Sequence, residues 1–505
     1  MIRALATLPP FLLLMGLGFV AMFVPMAHAV SLRDYDVARA FLYSACLGLM
    51  FAAMIGIAMA NGRRDESVRG QLLLLLWTYT VLPLFLAVPF AEATGAGLAA
   101  SWWEMVSSLT TTGATLFDPA DLAAPLHLWR ALVGWMGGFF TLIVAVAILA
   151  PLNLGGFEVL TGATAAGAGA NAGPAVAGLP GILPRMGRIA REVLPAYAGL
   201  TLLLWLLLVA AGETGFVAAC HAMATLSTSG ISPLDGLTQS QAGVAGEMLI
   251  AIFLVFALSR RLLPGDRSLR PPGGVRQDPE LLTAFVLVAG LSAVLFLRHW
   301  IGAFELKEGE DAPALLSALW GAAFTVLSFL TTTGFESSGW FAARAWSGLD
   351  SPGLILLGLA TIGGGVATTA GGVRLLRIYA LFRHGERETE RLIHPHSVGG
   401  AGQIARRMRR QGAQVAWVFF MLFALSIGVV TMALSLSGLN FETSTLFAIA
   451  SLSTTGPMPG TAGSVVLYWS DLDNWAKSVV AVAMIVGRLE TLAIIALLNP
   501  AFWRS

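Results

Sequence analysis

Apolar stretches long enough to cross a lipid bilayer recur along the whole of this 505-residue chain. A hydrocarbon core of about 30 Å needs about 20 apolar residues in a helix. Hydrophobic residues make up 56% of the sequence and charged residues only 12%, which is typical of membrane proteins and leaves no stretch for a soluble domain. We predict an all-α membrane protein with ten transmembrane helices, at 8–30, 37–60, 70–91, 129–150, 189–211, 243–260, 280–300, 352–381, 413–437 and 476–499.

The basic residues are distributed unequally between the predicted loops, although the net charge is only +1. With the N-terminus inside, twenty-one of the thirty Lys and Arg residues fall in cytoplasmic segments, seven on the opposite side, and Arg374 and Arg488 within spans. This asymmetry predicts cytoplasmic N- and C-termini. Ala27-His28-Ala29 imitates a signal-peptide cleavage site, but the long apolar run before it favours a first span that is retained.

Several kinds of site are not expected. Cys46 and Cys220 lie in apolar segments far apart, so we predict two buried thiols rather than a disulfide or a thiolate metal site. His394 and His396 make too weak a set for a metal. The spans contain no catalytic constellation, so the chain is not expected to be an enzyme. The glycine-rich 167–178 lacks the Lys-Ser/Thr pair of a phosphate-binding loop, so no cofactor is predicted in this chain.

Four short apolar segments on the outer side are too short to cross the bilayer and suit re-entrant helices. They cover 102–109, 215–226, 314–330 and 441–452. Each ends in a similar string: TTTGAT at 110–115, STSGIS at 227–232, TTTGFE at 331–336 and STTGPM at 453–458. One such string would mean little, but four in matching context indicate an internal repeat of span, re-entrant helix, Thr/Gly strand and span.

This repeat favours a cation pore. A cation crossing lipid must exchange its hydration shell for other oxygens, which a ring of backbone carbonyls supplies without net charge. The glycines Gly113, Gly230, Gly334 and Gly456 permit unusual backbone angles, and the neighbouring hydroxyls can brace the strand. Each re-entrant helix would direct its partly negative C-terminal end toward the membrane centre. The alternative, four Thr/Gly turns that merely join helical hairpins, gives no reason for the recurrence.

The sequence resembles the Trk/Ktr/HKT superfamily of K+ transporters, and within it the TrkH-type pore-forming subunit with two additional N-terminal spans. The resemblance covers essentially the whole chain. It is most specific at 108–139, at TIGGGVATTAGGVRLLR (361–377), at RLIHPHSV (391–398) and at IVGRLETLAIIALLNPAFW (485–503). Two departures concern local geometry: 251–263 lacks an expected glycine-rich string, and Pro457 follows the fourth glycine.

The resemblance implies a pseudo-fourfold pore in one chain, of the bacterial cytoplasmic (inner) membrane, with membrane lipid around it. The domains would be two N-terminal spans (1–65) and pore repeats at 66–155, 156–275, 276–400 and 401–505. It also implies a homodimer and a nucleotide-binding regulatory subunit of the TrkA type, for which the eight arginines of 377–410 offer a docking surface, although lipid headgroup contact is an alternative. No nucleic-acid partner is predicted.

The same resemblance assigns the residues that would select the ion. Since replacement of the first filter glycine by serine accompanies Na+ permeation in this superfamily, Gly113 favours a K+-preferring member. K+ at the filter is the only metal ion expected. The filter would comprise Thr111, Thr112, Gly113, Thr228, Ser229, Gly230, Thr332, Thr333, Gly334, Thr454, Thr455 and Gly456.

A gate is predicted below the filter. Five glycines within ten residues of one span indicate a broken helix, because each costs up to about 1 kcal/mol in a helix; close helix packing through small residues is the alternative. In the family the corresponding loop is an intramembrane gate. Arg374 at its end is expected to snorkel to the cytoplasmic interface. The predicted loop residues are Gly363, Gly364, Gly365, Thr368, Thr369, Gly371, Gly372 and Arg374.

Arg488 lies inside the last span, where a lipid-facing arginine would cost at least about 2.5 kcal/mol. It should therefore face the interior, and the resemblance places it in the pore, where it would act on conduction. A static salt bridge with Glu490 or another acidic residue, which would merely hold helices together, is the alternative. For the whole protein we predict gated K+ uptake driven by the membrane potential, with an H+- or Na+-coupled symporter or a weakly selective K+/Na+ transporter as alternatives.

Overall fold

The computed structural model describes residues 9–59, 67–152, 154–157, 159, 181–234, 236–262, 278–302, 312–347, 353–393, 403–463 and 465–490. Within these ranges all regular structure is helical. Polar residues begin several helices by accepting backbone N–H groups. Asp34 caps the helix at Tyr35, Asn440 the helix at Phe441 and Asp473 the helix at Asn474.

Among the described residues of the first third of the chain there are seven α-helices, and the last of them continues into a π-helical turn at Ala145–Leu149. A 3₁₀ turn at Pro119–Asp121 precedes that last helix. The helices are α1 (Pro10–Ala21), α2 (Phe23–Ser31), α3 (Tyr35–Ala58), α4 (Val68–Thr80), α5 (Leu82–Thr94), α6 (Leu98–Leu109) and α7 (Ala124–Val144).

The described part of the middle of the chain contributes seven more α-helices, with 3₁₀ turns at Val255–Ala257 and Arg260–Leu262. They are α8 (Ile182–Ala210), α9 (Gly215–Ser227), α10 (Gly243–Leu254), α11 (Pro279–Gly302), α12 (Ala312–Leu330), α13 (Trp340–Ser347) and α14 (Gly353–Ile362).

Between Leu375 and Glu490, the described residues form five α-helices and a 3₁₀ turn at Trp469–Asp471. They are α15 (Leu375–Ile393), α16 (Gln403–Ser435), α17 (Phe441–Leu452), α18 (Met458–Ala462) and α19 (Asn474–Leu489).

Seven helical segments of the described residues are long and apolar enough to cross a membrane, so the chain is a multi-pass membrane protein. They coincide with seven of the ten predicted spans. Of the other three, the span predicted at 243–260 is a shorter helix, Gly243–Ala257, and that at 352–381 is interrupted between α14 and α15. The span predicted at 476–499 is helical to Leu489, and 491–499 lies outside the described residues.

The four short helices α6, α9, α12 and α17 lie at the predicted re-entrant positions. Three of them pack against a helix that lies between the preceding Thr/Gly string and the short helix itself. These contacts join α9 to α7, α12 to α10 and α17 to α14. The packing of α6 on α19 closes the cycle. The four short helices and the helices they pack on are thereby linked in one closed cycle.

Candidate functional site

The four short helices end in the same way. At the end of α6, Thr111 N–H donates to the Ser108 carbonyl and Thr112 N–H to the Ser107 carbonyl, both at 2.9 Å. These two bonds define a Schellman motif, which normally has glycine at its left-handed position. The same pair of bonds recurs at Thr228 and Ser229, at Thr332 and Thr333, and at Thr454 and Thr455.

Threonine occupies the left-handed position in all four motifs. The φ angles are 58° at Thr111, 52° at Thr228, 57° at Thr332 and 56° at Thr454. A positive φ is a genuine outlier for a β-branched residue, and it persists only where the surroundings enforce it. The sequence pattern predicted these four threonines as filter residues but not their left-handed conformation. The predicted extended strand therefore begins with a tight helix cap.

The four glycines come together in the order in which they occur in the chain. A side-chain carbon added at Gly113 would overlap the Ser229 carbonyl oxygen, and one added at Gly230 would overlap that of Thr333. At Gly334 the nearest atoms belong to Pro457 and Thr455, at 3.0 and 3.1 Å.

The fourth glycine closes the ring of segments. Gly456 N–H donates to the Thr112 carbonyl at 2.7 Å, which joins the fourth segment to the first. Pro457, noted as a departure from the family pattern, packs against Gly230 and Gly334 and is the N-cap residue of α18. The twelve predicted filter residues therefore form one contiguous ring, which is buried except at the half-buried Gly113.

Hydroxyl groups brace each segment at the equivalent place. The side-chain oxygens are 2.8 Å apart between Thr110 and Thr112, and 3.0 Å apart between Ser227 and Ser229. The third and fourth segments repeat this bridge, between Thr331 and Thr333 and between Ser453 and Thr455, at 3.1 Å in both. The predicted local bracing by hydroxyls is thus present in all four segments.

Buried polar side chains hold the outer ends of these segments. Glu104 accepts Leu116 N–H at 3.0 Å and pairs with Arg130 at 2.6 Å. In the same way, Thr325 Oγ1 accepts the N–H of Ser337 at 3.3 Å. In both bonds the donor lies twelve residues after the acceptor. These braces were not predicted; the signal that could have found them is a polar residue nine positions before the glycine in an otherwise apolar helix.

The interrupted span forms a loop at residues 363–374, which we call the glycine loop. Its backbone is tied to several other parts of the chain. Gly365 N–H donates to the Ala257 carbonyl at 3.0 Å, and Gly371 N–H donates to Thr332 Oγ1 at 2.7 Å. Thr369 Oγ1 donates to a carbonyl in the last turn of α9 at 3.2 Å. The loop therefore lies across the inner ends of α9 and α12.

The loop glycines are required by this close packing. A side-chain carbon at Gly365 would overlap the Leu258 carbonyl, and one at Gly371 would overlap that of Ser453. Thr368 is fully buried and bonds within the loop, to the Gly365 carbonyl. The predicted break in the helix is thus present, and its glycines pack tightly against the loop's neighbours.

Arg488 contacts this loop directly. Its guanidinium donates to the Thr369 carbonyl at 2.7 Å and to Thr141 Oγ1 at 3.0 Å, which links the loop to α7. Among the described residues its Nη2 has no hydrogen-bond partner. Among the described residues, Arg488 forms no ion pair with Glu490. The static salt bridge between these two residues, which the sequence left open as an alternative, is therefore not observed.

Glu490 instead holds two other arginines. It lies 3.6 Å from Arg374 and 2.9 Å from Arg377, and all three side chains are buried. The guanidinium of Arg377 also lies 3.5 Å from the ring centre of Phe419. The prediction that Arg374 snorkels to the interface was wrong, because its guanidinium turns inward to the Gly365 and Ala370 carbonyls.

Two further differences from the sequence predictions concern single residues. Cys46 is exposed on the outer surface of α3 rather than buried, whereas Cys220 is buried as predicted. Glu280, which the sequence analysis did not single out, accepts Val366 N–H of the loop at 2.7 Å.

The chemistry of this site is that of neutral oxygens. The ring consists of backbone carbonyls and hydroxyls, which suit a weakly hydrated monovalent cation rather than a tightly bound transition metal. The described residues contain no group of three or more His, Cys, Asp or Glu side chains that could hold a metal ion.

Comparison with known proteins gives matches along the whole chain. The family model TrkH, described as a cation transport protein, matches residues 283–504. A "Trk system potassium uptake protein TrkH" of Halomonas elongata is 29% identical over 92% of this chain and 92% of its own length. The protein of that name from Escherichia coli is 28% identical over 100% of this chain and 99% of its own length.

A solved structure agrees with the fold. The crystal structure of the potassium transporter TrkH from Vibrio parahaemolyticus superposes with a TM-score of 0.77 at 26% identity, and the match covers 98% of each chain. The resemblance read from the sequence is thereby confirmed, and the relatives' names are those of transporters rather than enzymes.

Proposed function

Because the chain is similar to TrkH-type K+ transporter subunits in sequence and fold along its whole length, we propose that it takes up K+ across the bacterial cytoplasmic membrane. It does so through one pore formed by four repeats of a single chain, with ten transmembrane and four re-entrant helices. The two N-terminal spans stand outside this fourfold arrangement.

The observation that carries the proposal is the closed cycle of Thr/Gly segments. Each segment contacts the next, and Gly456 N–H bonds back to Thr112. Carbonyls held around an axis by four identical helix caps are preorganised to replace the hydration shell of K+. The C-terminal ends of four helices, each carrying roughly half a negative charge, add attraction for a cation below the ring.

The glycine loop is the gate in this proposal. It lies across the inner ends of the short helices, where it would obstruct an ion that leaves the ring. Arg488 adds a fixed positive charge at the same level and holds the loop through the Thr369 carbonyl. Conduction therefore requires that the loop move away and that the arginine change partners.

The membrane potential is the driving force in this proposal. It is worth about 2.3 kcal/mol per charge per 100 mV, which corresponds to nearly fiftyfold accumulation. Coupling to H+ or Na+ is the second candidate. The buried Glu280 beside the loop is the observation that favours it, because a symporter needs an intramembrane carboxylate.

The assembly proposed for this subunit includes a second copy of the chain and a cytoplasmic nucleotide-binding regulatory subunit of the TrkA type. The relatives are named as proteins of a Trk system, which supports a multicomponent transporter. The exposed basic and acidic side chains of α15, such as Arg383 and Glu386, are suited to a protein partner on the cytoplasmic side.

Flux into proteoliposomes tests the proposal. Vesicles that carry the purified protein, loaded with K+ and diluted into K+-free medium, should accumulate tracer Rb+, and neither Na+ nor a pH gradient should be needed. Deletion of 365–370 should increase the flux, because the loop then no longer covers the inner ends of the helices. Uptake that requires Na+ or H+ would favour the symporter, and unchanged or lower flux of a folded deletion variant would count against the gate.

A further inference from the structure

The fourth Thr/Gly segment departs from the other three at its glycine. Gly113, Gly230 and Gly334 have φ angles of 75°, 65° and 80°, whereas Gly456 lies outside this left-handed region. The N–H groups of Gly113 and Gly334 donate at 3.3 Å to a serine carbonyl of their own short helix, but that of Gly456 donates across to Thr112. The fourth segment therefore turns toward the first at the level where the other three share a left-handed glycine.

An indole binds the carbonyl of this turned glycine. Trp469 Nε1–H donates to the Gly456 carbonyl oxygen at 2.9 Å. Trp469 is only 5% exposed and packs between α17 and α6, with its ring centre 4.7 Å from that of Phe447 and 5.9 Å from that of Trp103. Because a hydrogen bond aligns its acceptor with the donor, the Gly456 carbonyl is directed between two short helices rather than toward the other three segments.

We propose that Trp469 is a positioning residue that holds the Gly456 carbonyl away from the pore, so that the glycines of the ring offer K+ three carbonyls instead of four. The inference rests on the proposed K+ pore and adds a determinant of its selectivity. The helix cap and the hydroxyl bridge of the fourth segment match those of the others, so the departure begins at the glycine that the indole binds.

The number of free carbonyls affects the choice between cations. A cation gives up its water in exchange for carbonyl oxygens. K+ is larger than Na+ and accommodates more oxygens around it, so the loss of one carbonyl weakens the binding of K+ more than that of Na+. The indole of Trp469 therefore lowers the preference for K+ below that of a ring with four free glycine carbonyls.

Two variants remove the N–H donor and keep the aromatic packing. Trp469→Phe retains a ring against Phe447 and Trp103. Benzothienylalanine at position 469, in which sulfur replaces the N–H, retains the whole shape of the indole and serves where the smaller ring disturbs the packing. The concentrations of K+ and Na+ that halve tracer Rb+ uptake into proteoliposomes give the preference. Since the Gly456 carbonyl is released, this preference should rise about fivefold in both variants, with a lower KM for Rb+.

Trp103→Phe is the matched control. Trp103 lies beside Trp469, is similarly buried and donates to a backbone carbonyl at the same 2.9 Å, but that carbonyl belongs to Lys477 and not to the ring. The control substitution should leave the K+ preference as it is. Because it removes the same kind of bond from the same aromatic cluster, a loss of packing or stability affects both positions alike, whereas a released ring carbonyl affects only one.

The outcomes are distinct. A K+ preference that falls or stays the same in the Trp469 variants would overturn the inference, because a residue that only packs has no carbonyl to release. An equal rise in the Trp103→Phe control would overturn it as well. Rb+ uptake by the unsubstituted protein tests the pore separately. Uptake together with an unchanged preference in the variants refutes only the role of the indole, whereas absent uptake refutes the proposed function.

Discussion

The four Thr/Gly segments and the glycine loop are both irregular, glycine-bearing backbone inside the protein, but they are held in opposite ways. Each Thr/Gly segment is fixed by the same helix cap and the same hydroxyl bridge within its own repeat. The loop is held by single contacts to different parts of the chain, including Ala257, Thr332 and Arg488.

Under the proposed function, this difference assigns ion selection to the four segments and movement to the glycine loop. Bonds repeated four times within local motifs make the ring rigid, because no movement of one helix against another breaks them. The loop's bonds join separate helices, so a shift of α15 or α19 changes several of them together. We therefore expect substitutions in the ring to alter selectivity and substitutions at the loop to alter the rate of transport.

The largest expected effect is a loss of stability when the buried ion cluster of Arg374, Arg377 and Glu490 is disrupted. This cluster anchors the glycine loop. Glu490→Gln leaves the buried Arg374 and Arg377 without their carboxylate, which should cost about 3–5 kcal/mol. Thermal unfolding in detergent measures the loss. Glu386→Gln, in an exposed pair with Arg383, is the control and should cost less than about 1 kcal/mol. Equal losses in the two variants would mean that the cluster does not anchor the loop.

The next effect is on selectivity in the ring. Gly113→Ser places a side chain against the Ser229 carbonyl at a φ of 75°, so the ring must distort. The preference for K+ over Na+ in competitive Rb+ uptake should fall about tenfold, equivalent to about 1.4 kcal/mol. Gly199→Ser in α8, where nothing lies within 4 Å, should leave the preference as it is. An unchanged preference in Gly113→Ser would remove the first segment from the filter.

A substitution at the loop should change rate without changing preference. Gly371→Ala adds a methyl group that overlaps the Ser453 carbonyl and thereby pushes the loop from its place. Overpacking of this kind costs about 1–3 kcal/mol, which should raise K+ flux roughly tenfold at constant selectivity. The control Gly358→Ala lies in the adjoining α14 with open space around it. A change in selectivity rather than in rate would contradict the proposed difference in role between the Thr/Gly segments and the glycine loop.

The smallest effect should come from one hydroxyl bridge. Thr110→Val removes the bond to Thr112 and costs about 1 kcal/mol, since the helix cap and the ring contacts remain. We expect selectivity to weaken by fivefold or less in the same uptake assay. Thr78→Val, which loses a buried hydroxyl bond to the Leu74 carbonyl in α4, controls for general destabilisation. A complete loss of selectivity would show that the bridges, rather than the caps, hold the ring.

The sequence predicted the ring better than it predicted the loop's partners. The four strings recur in matching context and indicate the repeat, and the family resemblance names the twelve residues that form the ring. The left-handed threonines were not foreseen, because sequence rules reserve that conformation for glycine. Their cause is tertiary: neighbouring segments and hydroxyl bridges hold each cap in place.

The loop's partners are hidden from sequence reasoning for a different reason. Arg374 and Arg377 stand near a cytoplasmic boundary, where snorkelling is the usual behaviour of arginine. Their burial depends on Glu490, more than a hundred residues away along the chain. Long-range ion pairs of this kind leave no periodic pattern, so only the fold reveals them.

The most direct test of the account is a structure of the protein prepared with Rb+ in place of K+, because Rb+ is identified by its anomalous scattering. The account predicts Rb+ inside the ring, coordinated by backbone oxygens of the segments that contain Gly113, Gly230, Gly334 and Gly456. Rb+ bound elsewhere in the membrane region, with none in the ring, would contradict the central claim that these four segments are the filter.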